Sequence, residues 1–205
     1  MSHLCRQWSV FAFSGQSRYP LRPVGAPPAD PRSDQQLVEE ICCGDSSAFD
    51  ALYSRYRDWV VSLAYRFTSN HDDALDVLQE TFAYLCGKFP HFNLTASMKT
   101  FLYPVVRNLS LEIRRKRNRV SQSEDSLDLL PAAPEAGDPR ADLYSALSNL
   151  PEMHREVLLM RFVDDLKLEE IAEVLSVPVG TVKSRLHNGI ALLREDHRAR
   201  RYFLP

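Results

Sequence analysis

An uninterrupted apolar stripe between residues 49 and 67 dictates the architecture. Phe49, Leu52, Tyr53, Tyr56, Val60, Leu63, Ala64 and Phe67 recur at three-and-four spacing. That period puts them on one face of a helix and on no single face of a strand. A one-sided helix of this length is stable only when other elements cover its face. Candidates lie on both sides. Leu37, Val38, Ile41 and Cys42 repeat at the same spacing before it, with Gly44 as a stop and Asp45 or Ser46 as the next cap. After the Thr68-Ser69-Asn70 break, Leu75, Leu78, Phe82 and Leu85 mark a third helix from His71. Gly87 and Pro90 end it, and a polar loop from Lys88 to Met98 carries Phe89, His91 and Phe92.

A fourth helix is expected from Thr100, with Leu102, Val105, Val106, Leu109 and Ile113 inside. Pro104 fits it if Thr100 caps the helix and Pro104 falls in the first turn. Residues 119–140 read as an acidic linker: Glu124, Asp125, Asp128, Glu135 and Asp138 stand among Pro131, Pro134, Gly137 and Pro139. A second helical unit is expected over 141–197. Its apolar sets are Leu143, Ala146, Leu147 and Leu150, then Val157, Leu158 and Phe162 after Pro151. Leu168, Ile171, Ala172 and Leu175 precede a tight turn from Ser176 to Gly180, and Val182, Leu186, Ile190 and Leu193 come after it. No convincing strand period appears. The expected fold is all-α: a helical domain over 34–118 and a smaller one over 141–197, joined by the linker. Residues 1–33 read as a poorly ordered leader and 198–205 as a basic tail.

Composition narrows the function. The 205 residues carry 25 Lys+Arg, 27 Asp+Glu and 44% hydrophobic residues, as in a folded soluble protein. No apolar run reaches the roughly 18 residues of a membrane span. The run around Phe11 is too short for a secretory signal. Cys5, Cys42, Cys43 and Cys86 form no CxxC pair, so neither a zinc site nor a disulfide framework is expected. Cys42 and Cys43 read as buried thiols, His154 as a surface residue. No nucleophile–base pair, phosphate loop or cofactor site emerges, and the chain reads as a non-enzyme.

Three constellations stand out. Two short helices around a Gly-containing turn describe a helix-turn-helix, whose second helix enters the major groove. Thr181, Lys183, Ser184, Arg185, His187 and Asn188 crowd the start of that helix, with Thr181 a candidate cap. The fourth helix is basic, with Arg107, Arg114, Arg115, Lys116, Arg117 and Arg119 against Glu112. Tyr103, Arg107, Ser110, Arg114 and Arg117 are expected opposite its apolar stripe, with Phe101, Asn108 and Arg115 beside them. Basic and aromatic groups together suit DNA that is being opened. The third is acidic: Asp72, Asp73, Asp76 and Glu80, with Gln79. DDALD also matches a magnesium-diphosphate motif of isoprenoid enzymes, but acidic helix starts are common. A plain solvated face, or a docking face for a basic protein groove, is the better reading.

In order, GDSSAFDALYSRY, DDALDVLQETF, FLYPVVRNLSLEIRRKRNR, NLPEMHREVLLMRFVDDLKLEEIAEVLSVPVGTVKSRL and ALLRE make the chain resemble bacterial RNA polymerase sigma factors of the extracytoplasmic-function (ECF) group, over roughly residues 35–196. The resemblance implies a cytoplasmic protein, nucleoid-associated when bound to polymerase. It would bind core RNA polymerase and promoter DNA, be masked by an anti-sigma protein, and use no cofactor. Asp73, Asp76, Gln79, Glu80 and Thr81 match the segment that binds polymerase. Phe92, Thr100, Phe101, Tyr103, Arg107, Asn108, Arg114, Arg115 and Arg117 would recognise and melt the minus-ten element. Phe92 and Asn108 match positions that can hold a flipped base, and Phe101 stands where Trp is common. The helix-turn-helix would read the minus-thirty-five element, and the linker would thread the RNA path of the polymerase. The rival readings are a stand-alone helix-turn-helix regulator and a sigma-like protein that binds polymerase without initiating.

Overall fold

The computed structural model describes residues 30–121, 141–197 and 199. The described residues contain eight helices and no strand, and the chain divides into two compact units. The leader up to residue 29, residues 122–140 of the expected linker and nearly all of the tail lie outside the described residues, while residues 119–121, expected in the linker, instead complete the last helix of the first unit.

The first unit holds α1 (Asp34–Cys42), α2 (Ser46–Thr68), α3 (His71–Cys86) and α4 (Met98–Ser121). Each start is set by a polar side chain. Ser33 opens α1 through a capping box: its hydroxyl accepts from the Gln36 amide at 3.2 Å, and Gln36 Oε1 accepts from the Ser33 amide at 2.8 Å. Gly44 turns the chain at φ 93°, and Asp45 then caps α2 by accepting from the Ser47 amide at 2.8 Å. Ser69 closes α2 in the left-handed conformation, and Asn70 Oδ1 caps α3 by accepting from the Asp73 amide at 3.0 Å.

Residues 30–33, expected within the leader, belong to this unit. Arg32 pairs with Asp30 and Glu40, and Arg55 of α2 donates to the Arg32 carbonyl at 2.7 Å and pairs with Asp34 at 2.6 Å. These charges staple the entering chain to α1 and α2.

The core lies among α2, α3 and α4, with α1 packed on α2. Leu52, Val60, Leu63, Val77, Leu85, Leu102 and Val106 are fully or almost fully excluded from water. Each such side chain contributes about 1.5–3 kcal/mol by leaving water. Phe82 meets Tyr53 edge-on at 4.7 Å and Phe49 at 6.2 Å, joining α2 to α3. Leu75, expected inside, is instead exposed, because the buried face of α3 runs through Ala74, Val77, Leu78 and Thr81.

Helix α4 departs from expectation in register and in face. It begins at Met98, capped by Ser97, whose hydroxyl accepts from the Thr100 amide at 3.2 Å. Pro104 therefore sits inside the helix, not in its first turn, and has no N–H to give the Thr100 carbonyl. The buried face runs through Met98, Leu102, Tyr103, Val106, Ser110 and Arg114, while Val105, Leu109 and Ile113 are only half-buried. The helix is thus rotated toward its tyrosine and two of the polar residues expected to face solvent.

The second unit holds α5 (Ala141–Ser148), α6 (Glu152–Phe162), α7 (Leu168–Leu175) and α8 (Val179–Glu195). Helices α6 and α7 both pack on α8. Ser176 ends α7 in the left-handed region at φ 53°, and α8 starts straight after Pro178. This is a helix-turn-helix with a three-residue turn. Gly189 lets α8 approach α6 closely, since a Cβ there would lie 3.0 Å from Leu158 Cδ1 and 3.3 Å from His154 Cβ.

Candidate nucleic-acid interface

Each unit presents polar surface of a distinct kind. On α3, Asp72, Asp76, Gln79 and Glu80 are exposed together with Leu75. They share one face at i, i+4 spacing. Two other residues of the expected docking set lie elsewhere. Thr81 is fully buried, and its hydroxyl has no hydrogen-bond partner. It faces the interior because it shares the helix side of Val77, Leu78 and Leu85. Asp73 is turned toward α4, where it pairs with Arg117 Nη1 at 2.5 Å.

Where α3 ends and α4 begins, the aromatic residues gather. Phe92 and Phe101 lie 4.7 Å apart, Phe89 meets Phe92 edge-on at 5.7 Å, and Tyr84 stacks on Phe101 at 6.3 Å. Lys88 Nζ sits 4.6 Å above the Tyr84 ring. Phe92 and Phe101 are half-buried and Tyr84 is 45% exposed, so this cluster has an open side. The Cys42 thiol donates to the Phe92 carbonyl at 3.6 Å, tying the loop to α1. Cys42 is only half-buried and Cys43 exposed, so neither is the core thiol expected. Tyr84 was not anticipated. Its signal is position: the last turn of a helix that leads into an aromatic loop.

The open face of α4 carries Phe101, Asn108 and Arg115, spaced by two turns each, with Lys116 and Arg119 also exposed. Lys116 pairs with Glu112 at 2.8 Å, and its hydrogen bond, then its charge, lowers the Glu112 carboxyl from its ordinary value. The expected set Tyr103, Arg107, Ser110, Arg114 and Arg117 faces inward. Tyr103 is buried edge-on to Phe67 at 6.4 Å, and Thr100 and Ser110 are buried. Arg107 is half-buried. Arg114 donates to the Phe67 carbonyl at 3.4 Å and Arg117 to the Thr68 carbonyl at 2.9 Å. Both meet the end of α2, where unsatisfied carbonyls and the negative end of the helix dipole attract cations.

On α8, Lys183, Ser184, His187 and Asn188 are exposed, and Thr181 and Arg185 half-exposed. Val182, Gly189 and Leu193 fill the opposite side. The whole expected set thus shares the outer side of the helix. Thr181 does not cap, because α8 already starts at Val179; its amide donates to the Pro178 carbonyl at 2.8 Å. His154 is not a plain surface residue, since its Nδ1 lies 2.9 Å from the Arg185 carbonyl.

Fold and site define an all-helical protein whose second unit is a helix-turn-helix. The Sigma-70 region 2 family matches residues 52–120, and the Sigma-70 region 4 family matches residues 140–193. The ECF RNA polymerase sigma factor SigW of Bacillus subtilis is 30% identical over 188 residues, covering 80% of this chain and 96% of SigW. The ECF RNA polymerase sigma-E factor of Haemophilus influenzae is 32% identical over 174 residues, covering 77% and 92%. The chain belongs to the ECF group of RNA polymerase sigma factors. Such proteins are transcription initiation factors rather than enzymes. Among solved structures, the sigma factor RpoE in complex with the anti-sigma factor NepR from Bartonella quintana superposes with TM-score 0.53 at 26% identity, covering 72% of this chain and 94% of RpoE. CnrH, in complex with the cytosolic domain of CnrY, shares the fold with TM-score 0.57 at 23% identity. No helix among the described residues is long and apolar enough to cross a membrane.

Proposed function

We propose that this chain carries core RNA polymerase to its promoters, reads two promoter elements and opens the one nearer the start site. The observation that carries the reading is the aromatic cluster of Tyr84, Phe92 and Phe101, set one face along from Asn108 on a basic helix. Extruding a base from a duplex costs a few kcal/mol. Stacking on an aromatic ring returns about 1–3 kcal/mol per base. The half-open Phe92 and Phe101 rings offer that stacking, and the Asn108 amide can hydrogen-bond a base edge. Arg115 and Arg119 reach the phosphates alongside, which adds affinity without sequence preference.

Polymerase docks on the open face of α3, where Asp76, Gln79 and Glu80 offer acceptors and charge to a basic groove and Leu75 adds an apolar contact. Helix α8 reads the second element through Thr181, Lys183, Ser184, Arg185, His187 and Asn188. Each unit alone binds DNA weakly. Core polymerase supplies the spacing that makes their binding jointly effective. An anti-sigma protein that covers these faces fits the reading, since RpoE was solved bound to one. The protein then works in the cytoplasm, on the nucleoid.

Run-off transcription from genomic fragments with reconstituted core polymerase tests this. Specific transcripts are expected, and they disappear in the double variant Asp76→Lys with Glu80→Lys. DNA binding retained without any polymerase binding overturns the reading and leaves a stand-alone helix-turn-helix regulator.

A further inference from the structure

Three helices of the first unit are tied together at one corner. Helix α2 ends there, α3 starts there, and the last turns of α4 pass alongside. Arg114 donates to the Phe67 carbonyl at 3.4 Å, and Arg117 uses both ends of its guanidinium, one on the Thr68 carbonyl at 2.9 Å and one on Asp73 Oδ2 at 2.5 Å. The Asp73 amide is itself held by the Asn70 cap at 3.0 Å. The Asp73 side chain is 19% exposed and that of Arg117 35%, so the pair is partly shielded from salt.

The corner matters because it anchors the basic end of α4. Arg115, Lys116 and Arg119 are exposed. Ile113, half-buried, is the last apolar side chain seen to pack before them. Beyond it, among the described side chains, Arg114 and Arg117 tie the helix to the unit. A run of four consecutive positive residues, Arg114 to Arg117, also repels itself unless some of the charge is matched. Glu112 matches Lys116, and Asp73 supplies the carboxylate that matches Arg117.

We propose that Asp73 is a positioning residue that acts on promoter DNA through Arg117: it fixes the basic end of α4, so that Arg115 and Arg119 meet phosphates at a set place, and it makes no contact with polymerase. This rests on the sigma reading above. It reassigns a residue of the acidic docking segment from intermolecular to intramolecular work. Asp73 Oδ2 is already engaged by Arg117 and the side chain is only 19% exposed, so a polymerase cation would have to compete with that pairing. Asp76 and Glu80, one and two turns on, carry the docking charge.

The test compares holoenzymes made with the unmodified chain, Asp73→Asn, Arg117→Lys, and the charge exchange Asp73→Arg with Arg117→Asp. Polymerase affinity, promoter opening at equal holoenzyme, and amide exchange of the free chain over residues 115–121 are measured. Asp73→Asn is expected to leave polymerase affinity within about twofold, since the residue is spent inside the unit, and to slow opening about three- to tenfold, the worth of one charge-assisted hydrogen bond. Exchange over residues 115–121 speeds up. Arg117→Lys acts in the same direction but less, because an ammonium cannot fork between carboxylate and carbonyl. The charge exchange restores the ion pair but not the donor to the Thr68 carbonyl, so it recovers only part of the opening rate, a part that a general loss of folding would not return. Polymerase affinity falling as far as in Asp76→Lys with Glu80→Lys, without recovery in the exchange, makes Asp73 a docking residue and overturns the proposal. So does an unchanged opening rate. If the unmodified chain binds no polymerase, the sigma reading fails and the role in opening with it, while amide exchange still reports whether the corner holds α4.

Discussion

His154 Nδ1 of α6 lies 2.9 Å from the carbonyl oxygen of Arg185, in the middle of α8. That carbonyl belongs to a residue facing DNA in the proposed reading, so the helix-turn-helix is braced directly behind its reading face. One turn on, Gly189 closes the same helix crossing.

Gly189→Ala tests how tight that crossing is. In an open helix the change would gain about 1 kcal/mol of propensity. Here the new methyl would lie 3.0 Å from Leu158 Cδ1 and 3.3 Å from His154 Cβ, and the second of these cannot swing away. Overpacking typically costs about 1–3 kcal/mol. The expected outcome is a net loss of about 1 kcal/mol in thermal unfolding, with weaker binding of the upstream element by holoenzyme.

Arg114 and Arg115 are neighbours in sequence that face opposite ways, Arg114 buried and Arg115 exposed. Arg114→Ala removes a buried donor from the Phe67 carbonyl and is expected to destabilise the first unit by about 1.5–3 kcal/mol in denaturant titration. Arg115 is exposed, and Arg115→Ala should change stability by less than about 0.5 kcal/mol. It should instead lower the slope of log affinity against log salt for promoter binding by about one. Equal stability losses in both variants would contradict the face assignment of α4.

Phe101 separates stacking from mere bulk. Phe101→Ala removes the ring between Tyr84 and Phe92 and should slow opening by about 1–3 kcal/mol, read as permanganate reactivity of unpaired thymines. Phe101→Trp keeps a stacking surface and should retain most of the opening rate. A Trp variant as defective as the Ala variant would argue that the ring only fills space.

Acid sensitivity should reside in the staple at residues 30–34. The side-chain and backbone hydrogen bonds of Arg32 hold the Asp30 carboxyl at about 2, against an ordinary 3.8. A depressed carboxyl lends stability that is fully present above 3.8 and is lost as pH falls toward 2. Asp45 is shifted the same way by its cap bond to Ser47. Asp30→Asn should therefore be less stable than the unmodified chain near neutral pH, and the gap should close between pH 4 and 2. A gap that persists unchanged at the acid end would place the effect elsewhere.

Much of this was legible in the amino-acid order. The helices, their order, the Asp45 and Asn70 region as breaks, the helix-turn-helix and the division into two units all come from apolar spacing and from caps. The outward side of α8 was legible too, because Val182 and Leu193 leave one side of it for Lys183, His187 and Asn188. Helix α4 was not. Val105, Leu109 and Ile113 made a plausible stripe, yet the helix buries Tyr103, Ser110 and Arg114 instead. Ser110 is small enough for another helix to approach, and Tyr103 finds Phe67. Neither fact is visible in spacing.

Sequence alone therefore determined which segments are helical, in what order, and to which family the chain belongs, because these depend on local period and motif order. Tertiary structure alone decided which charged residues turn inward and which stay exposed. An arginine suits a phosphate and a helix-end carbonyl equally well, and an aspartate suits a polymerase groove and a neighbouring guanidinium equally well. Arg114, Arg117 and Asp73 found partners inside the unit, while Arg115, Asp76 and Glu80 did not turn inward. That choice depends on which helix ends the fold brings within hydrogen-bond reach.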